Sequence, residues 1–384
     1  MILLSVGPGG GALRAPEAAR LLAEAGHEVH VHLQSGAREF VGPAAFLGPD
    51  TVGVTVGTGG EGGPSRTPGA LVFAPADAAT ISRLANGLVE SPDLLEYASS
   101  ARSTRPAIVV PDLDPATAGH PAVKKNLALL VEEGCVVLDG FGSGTTAPEI
   151  SSRTLHEIGG RLDSLRVVVT AGGTREPVDS VRFVGNRSSG KMGAAIAREA
   201  YRQGARVSVV AANVPEVEPG VGWRAVETFA ELQEETTRLC GDADALIMAA
   251  AVSDFTPASP LPGEKIRRGG RERMTLELSA TQDILAGIRD MYPRLFVVGF
   301  AATHGDPRPD AREKLRKKGV NLVVGNDISA PGIGFGSEEN EAYIVMESGS
   351  GGNYEEHFVP RGPKTALASV ILGHLMPAIK HREV

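Results

Sequence analysis

Four segments in the C-terminal half of the chain carry residue types suited to holding a phosphorylated ligand. The first runs from Thr170 to Gly193, TAGGTREPVDSVRFVGNRSSGKMG. Gly172 and Gly173 allow the backbone to approach a phosphate. NRSSGKMG then leads into a helix N-terminus, where Ser188, Ser189 and Gly190 are cap and anion-nest residues and Lys191 adds a charge. Gly185 to Lys191 fits the GxxxxGK part of a P-loop. Met192 stands where that motif needs a magnesium-binding Ser or Thr, so a true P-loop is not expected. The second segment is Ala249 to Gly270. Asp254 follows an apolar strand directly, where a carboxylate packs badly, and Lys265, Arg267 and Arg268 supply local positive charge. A solvated loop and phosphate or carboxylate recognition are the competing readings. In the third, Val297 to Pro307, Phe300 stands at a strand end, where core packing is the commoner role and stacking on a base the alternative. In the fourth, Ala311 to Gly319 places Lys314 and Lys318 on one helix face, ahead of Val324 to Ser329. Such a face is either solvated or aimed at a triphosphate. There is no HExxH, GxSxG or CxxC, and the 9 histidines are scattered, which argues against transition-metal catalysis.

The elements that must position these segments read as α/β throughout. Apolar runs at Ile2 to Val6, His27 to Leu33, Ala70 to Pro75, Ala107 to Pro111 and Cys135 to Asp139 read as strands. They alternate with helical patterns at Pro16 to Ala25, Ala78 to Asn86, Ala122 to Glu132 and Ala147 to Ile158. A second set of strands covers Arg166 to Gly173, Val207 to Asn213, Ala245 to Val252, Leu295 to Ala301 and Asn321 to Asp327. Helices fit between them at Gly193 to Gln203, Phe229 to Cys240, Asp283 to Met291 and Asp310 to Lys318. Glu341 to Ser348 and Tyr354 to Pro360 read as a hairpin, Lys364 to Ile379 as a closing helix, and Val52 to Gly69 as a long loop. Continuous apolar strands alternating with helices predict two doubly wound, Rossmann-like parallel-sheet domains, residues 1–160 and 161–384.

Composition agrees with that reading. The 384 residues suit two domains. The 48 glycines exceed the roughly 27 of average usage. A net charge of −8 argues against nucleic acid as a partner. The 2 cysteines fit a reducing compartment. The apolar start has no basic region ahead of it, and no run reaches the roughly 18 apolar residues of a membrane span, so a cytoplasmic protein without a membrane partner is expected.

From about residue 165 to 380 the chain resembles the phosphopantothenate–cysteine ligase domain of the bifunctional coenzyme A biosynthesis family. TAGGTREPVDSVRFVGNRSSGKMG carries most of the resemblance, and AAVSDFTP, EKIRR, TQDIL, VVGFAA and GNDIS follow at matching intervals. The resemblance implies an acid–amine ligase that activates a carboxylate with CTP, assisted by Mg²⁺, and then forms an amide with cysteine. By motif match Asn186 contacts the acyl-cytidylate, Arg182 supports the acid or the second half-reaction, and Lys265 neutralises phosphate. Asp254, Phe300, Lys314, Lys318 and the turn Gln282, Asp283, Ile284, Leu285 form the nucleotide pocket, and Ala250 offers backbone groups to cytosine. The partners implied are a small-molecule acid, an amine, a nucleotide and further copies of the chain, with ligase domains pairing as dimers. Three departures stand out: Thr303 replaces an acid, Gln282 a proline, and the Asp254 to Lys265 interval is one residue longer.

The N-terminal half more weakly resembles the flavin-dependent decarboxylase domain, through LLAEAGHEVHVHLQSGAREF and APADAATISRLANGL. The family's catalytic histidine is missing, since none occurs between His32 and His120. PAMN reads PDLD (Pro111 to Asp114), and GFGSGTTAPEI (Gly140 to Ile150) lacks the catalytic cysteine. Asp77 and Ala79 replace flavin-segment residues and weigh against bound FMN. Cys135 and Cys240 are expected as buried fillers. The resulting expectation is a live ligase half beside a decarboxylase half that has lost its chemistry. The alternatives are a paralogue using another acid or amine, or a non-catalytic partner protein.

Overall fold

A computed structural model describes residues 1–48, 51–56, 64, 66–100, 104–138, 144–216, 220–267, 269, 272–329, 336–348 and 353–380. Two compact units emerge, Met1–Gly159 and Gly160–Val384.

Unit 1 runs β1 (Ile2–Val6), α1 (Ala15–Glu24), β2 (Val29–Leu33), β3 (Thr51–Val56), β4 (Ala70–Ala76), α2 (Ala78–Ala85), α3 (Pro92–Ala98), β5 (Ala107–Pro111), α4 (Pro115–Gly119), α5 (Pro121–Glu132), β6 (Val136–Val137) and α6 (Ala147–Ile158). The strands form one parallel sheet in the order β3-β2-β1-β4-β5-β6. Strand alternation explains the unbroken apolar sequence of β1. Ile2, Leu4 and Val6 pack with α1 and α6, while Leu3 faces Phe73, α2, α3 and α5.

Val52 to Val56, expected as loop, belongs to β3, a strand paired in parallel with β2. Val54 packs against the core of unit 1, and the β2 ladder supplies the hydrogen bonds of this edge strand. Residues 57–63 and 65 of that expected loop lie outside the described residues. Cys135 and Cys240 are both buried, and burial pushes the Cys240 thiol up to about 12.

Unit 2 runs β7 (Arg166–Gly172), β8 (Arg175–Pro177), β9 (Phe183–Gly185), α7 (Lys191–Arg202), β10 (Arg206–Ala212), β11 (Gly222–Val226), α8 (Phe229–Cys240), β12 (Ala245–Met248), β13 (Phe255–Pro257), β14 (Leu278–Ala280), α9 (Ile284–Met291), β15 (Phe296–Thr303), α10 (Arg308–Lys318), β16 (Leu322–Asp327), β17 (Glu339–Ser348), β18 (Asn353–Pro363), α11 (Lys364–Gly373) and α12 (Leu375–Lys380). Its main sheet has the order β11-β10-β7-β12-β15-β16-β17-β18, and β17 and β18 are antiparallel. α7 and α11 pack on one face of the sheet; α8, α9 and α10 pack on the other. The closing helix is broken at His374 into α11 and α12. In both units the strand order reverses beside the first strand, between β1 and β4 and between β7 and β12. An open α/β sheet presents its ligand crevice at such a point. Among the described residues no helix is long and apolar enough to cross a membrane.

Candidate functional site

The crevice of unit 2 opens where β7, β12 and β15 end. β7 finishes at Gly172, whose φ is +84°; a Cβ there would lie 2.0 Å from the Ala212 carbonyl oxygen. A Cβ on Gly173 would lie 2.9 Å from the Asn186 carbonyl oxygen. Both glycines permit close backbone packing, and neither lines the cavity. Gly190, at φ +72°, caps α7 and does line it.

The cavity measures about 780 Å³. The start of α7 contributes Ser188, Ser189, Gly190 and Lys191, and Asn186 precedes them. The segment after β12 contributes Ala250 and Asp254. The N-terminus of α9 supplies Gln282, Asp283, Ile284 and Leu285, β15 supplies Phe300, and α10 supplies Lys314 and Lys318. Residues separated by more than a hundred positions in the chain therefore converge on one space of mixed polar and apolar lining.

The lining of this space is braced from below. The Ala250 N–H donates to the Thr170 hydroxyl at 3.0 Å, and the Ser253 N–H donates to the Thr174 hydroxyl at 3.0 Å. Asn186 Nδ2 donates to the Val252 carbonyl at 2.8 Å, across the β7–β12 switch point. Asp283 caps α9 through the Ala286 N–H at 3.1 Å and pairs with the Lys318 ammonium. Burial alone would raise the Asp283 pKa; Lys318 and the helix amides outweigh it and hold the carboxyl below its ordinary value. Lys314 donates to the Phe300 carbonyl. Burial pushes the Lys314 pKa down and the Lys318 charge adds to that, while Asp283 and Asp254 oppose it. The two lysines share a helix face as expected, but Lys318 is already committed to a carboxylate. Phe300 is half-buried, packed on the core and also lining the cavity.

Arg182 and Lys265 do not line this cavity. They meet instead at one turn held by Asp179, which is buried. Asp179 accepts from the Val181 N–H (2.8 Å), the Arg182 N–H (2.7 Å), the Ile266 N–H (3.1 Å) and the Arg182 guanidinium. Arg182 also reaches the Ile266 carbonyl at 3.2 Å, and the Ser180 N–H reaches the Glu264 carbonyl at 2.8 Å. Exposed Lys265 sits between those last two partners. Arg268 lies outside the described residues.

Asn326, Asn340 and Lys364 line the cavity without having been anticipated. Lys364 begins α11 and is 7% exposed; its ammonium donates to the Ser337 and Glu339 carbonyls at 2.6 and 3.1 Å. A lysine in the first turn of an otherwise apolar helix opposes the helix dipole, and that was its available signal.

A largely parallel sheet with a cavity at its switch point places unit 2 in the doubly wound α/β class, and unit 1 repeats the architecture. Residues 1–169 match the family described as Flavoprotein, and residues 162–378 match the DNA/pantothenate metabolism flavoprotein C-terminal domain. The coenzyme A biosynthesis bifunctional protein CoaBC of Mycobacterium tuberculosis (strain ATCC 25618 / H37Rv) is 34% identical over 410 residues, covering 97% of this chain and 95% of that protein. The CoaBC protein of Bacillus subtilis (strain 168) is 33% identical over 373 residues, covering 91% of each. A cysteine/cysteine sulfinic acid decarboxylase of an unknown prokaryotic organism is 34% identical over 305 residues, covering 74% and 83%. A crystal structure of a CoaBC C-terminal domain is 30% identical and covers 58% of this chain and 98% of that one, with a TM-score of 0.48. The chain belongs to the CoaBC family of coenzyme A biosynthesis bifunctional proteins.

Proposed function

We propose that unit 2 joins 4′-phosphopantothenate to cysteine in two steps that use CTP. An oxygen of the acid attacks the α-phosphorus and pyrophosphate leaves. The amine nitrogen then attacks the acyl carbon, loses a proton, and CMP leaves as the amide forms. The convergence of Asn186, Asp254, Gln282 to Leu285, Phe300, Lys314 and Lys318 on one cavity carries this reading. Lys314 lies in a part-buried position where its charge acts on a triphosphate with little screening. Phe300 offers a ring face to the base, and Asn186 holds the acyl group where the amine arrives. Arg182 and Lys265 act from the Asp179 turn, beside the lining. Among the described residues no three His, Cys, Asp or Glu side chains cluster as a metal cage. Mg²⁺ is characteristically held by substrate phosphates with one or two carboxylates, and Asp254 would hold it here, neutralising phosphate charge.

Unit 1, in the same reading, no longer decarboxylates, because the histidine and cysteine positions of the family pattern carry other residues. The working form is a homo-oligomer in which ligase-type units pair. The losses in unit 1 also favour a second reading, a paralogue that takes a different acid or amine. One assay separates them: pyrophosphate release with CTP, Mg²⁺, 4′-phosphopantothenate and cysteine. Release is expected, and Lys265→Gln and Asn186→Asp should each abolish it while far-UV circular dichroism stays unchanged. Release only with another acid establishes the paralogue. Full rates in both variants remove the ligase mechanism.

A further inference from the structure

Unit 1 offers two backbone features that suit an anion, and the chain fills both with its own carboxylates. Its crevice lies between the loops that follow β1 and β4. After β1 the chain reads Gly7-Pro8-Gly9-Gly10-Gly11, a run of bare backbone of the kind that cradles phosphate. The Gly11 N–H donates to Asp112 Oδ2 at 2.9 Å. A Cβ on Gly9 would sit 2.5 Å from that same oxygen, and one on Gly11 3.1 Å from it. The glycines are therefore shaped around the carboxylate of Asp112, the first residue after β5. Beyond β4 the N-terminus of α2 is the second feature, and there Asp77 accepts from the Thr80 N–H at 2.7 Å.

The space beside Pro8 and Asp77 is small, and its lining offers a phosphate no unpaired positive charge. It measures about 240 Å³ and is lined by Asp77, by Glu90 and by Arg83, which pairs with Glu90. A site for a cofactor-sized molecule spans roughly 300–1,000 Å³. Flavin mononucleotide brings a phosphate dianion, and here it would meet Asp112 and Asp77 where it needs donors. The residues present do not fit FMN, although residues 1–169 match the Flavoprotein family.

We propose that Asp112 is the resident anion of unit 1. It occupies the glycine-rich loop in place of a phosphate, ties that loop to the end of β5, and closes the crevice to phosphorylated cofactors. Removing its carboxylate empties the glycine-rich loop and takes away the Asp112 share of the repulsion, with Asp77 left in place.

The test uses the full chain as wild type, Asp112→Ala and Asp112→Ser, titrated with FMN and, separately, with riboflavin, which lacks the phosphate. Flavin fluorescence quenching and flavin retained after gel filtration are the readouts, with circular dichroism reporting the fold. Wild type should retain no FMN. The folded variants should bind FMN on the order of a hundredfold more tightly than wild type, with riboflavin little changed. Asp112→Ser keeps a short acceptor for the Gly11 N–H and serves if Asp112→Ala does not fold. Stoichiometric FMN on wild type overturns the proposal. So does a folded variant that gains no FMN affinity, or one that gains equally for riboflavin.

Discussion

Lys314 and Lys318 stand one turn apart on α10 and do different work. Lys318 is neutralised by Asp283, whereas Lys314 is more deeply placed and satisfied by the Phe300 carbonyl. Because burial lowers the Lys314 pKa from 10.5, the unfolded chain holds more protons between the two values, and stability rises with pH across that window. At neutral pH the buried charge is a cost that a bound triphosphate offsets. Lys314→Met should leave the melting temperature at pH 7 unchanged or higher, while raising the nucleotide KM on the order of ten- to a hundredfold in the pyrophosphate assay. A lower melting temperature with an unchanged KM would make Lys314 a structural residue. Gly172 predicts the opposite pattern. With φ +84° and the Ala212 carbonyl oxygen 2.0 Å from any added Cβ, Gly172→Ala should cost about 3 kcal/mol or more in denaturant titration. A loss of nucleotide affinity at unchanged stability would return Gly172 to the phosphate-binding role.

Among the elements, the turn around Asp179 joins two segments more than eighty residues apart. Burial works to raise the Asp179 pKa, but three backbone N–H groups and the Arg182 guanidinium hold the carboxyl below its ordinary 3.8. Its stabilisation is therefore present above that value and lost as pH falls through the depressed one. Asp179→Asn puts an NH₂ where the Ile266 N–H and the Arg182 guanidinium need an acceptor. Turnover should fall on the order of tenfold as Lys265 loses its placement, while the nucleotide KM, set by the separate cavity, stays near wild type. An equal rise in KM would mean that the turn shapes the cavity itself. Nothing in the spelling VDSVR announces this cap, because its partner at Ile266 is fixed by tertiary packing. Local pattern did reveal the long elements. The apolar run of β7, the period-2 alternation of β17 and the 3.6-period stripe of α8 each follow from burial on one or two faces. The three-residue pairs β8–β9 and β13–β14 carry too few positions to show a period. The clustering of Asn186, Asp254, Phe300 and Lys314 follows from strand order, and a linear reading reaches it only through family resemblance. Asn340 lies in β17 just ahead of the alternating run that begins at Glu341, so no pattern draws attention to it.

At the scale of the whole chain, each sheet is covered on both faces by helices of its own unit. The core residues of unit 1 end at Leu155 and those of unit 2 begin at Leu162. Every residue lining the large cavity lies between Asn186 and Lys364. A unit with two complete helical layers over its sheet buries enough apolar surface to fold alone. Residues 160–384 expressed as a separate chain should therefore give a cooperative thermal transition and release pyrophosphate at a rate within about threefold of the full chain, since mutations and truncations far from a site leave it nearly additive. The full chain carrying Asp112→Ala serves as the matching control, because a change at the end of β5 in the crevice of unit 1 should leave pyrophosphate release untouched. An insoluble fragment, or a fragment that folds but loses more than about tenfold in rate, would show that unit 1 supports the ligase directly. In that case the carboxylate-filled crevice would serve a unit kept for its surface, and the chemistry would belong to both halves together.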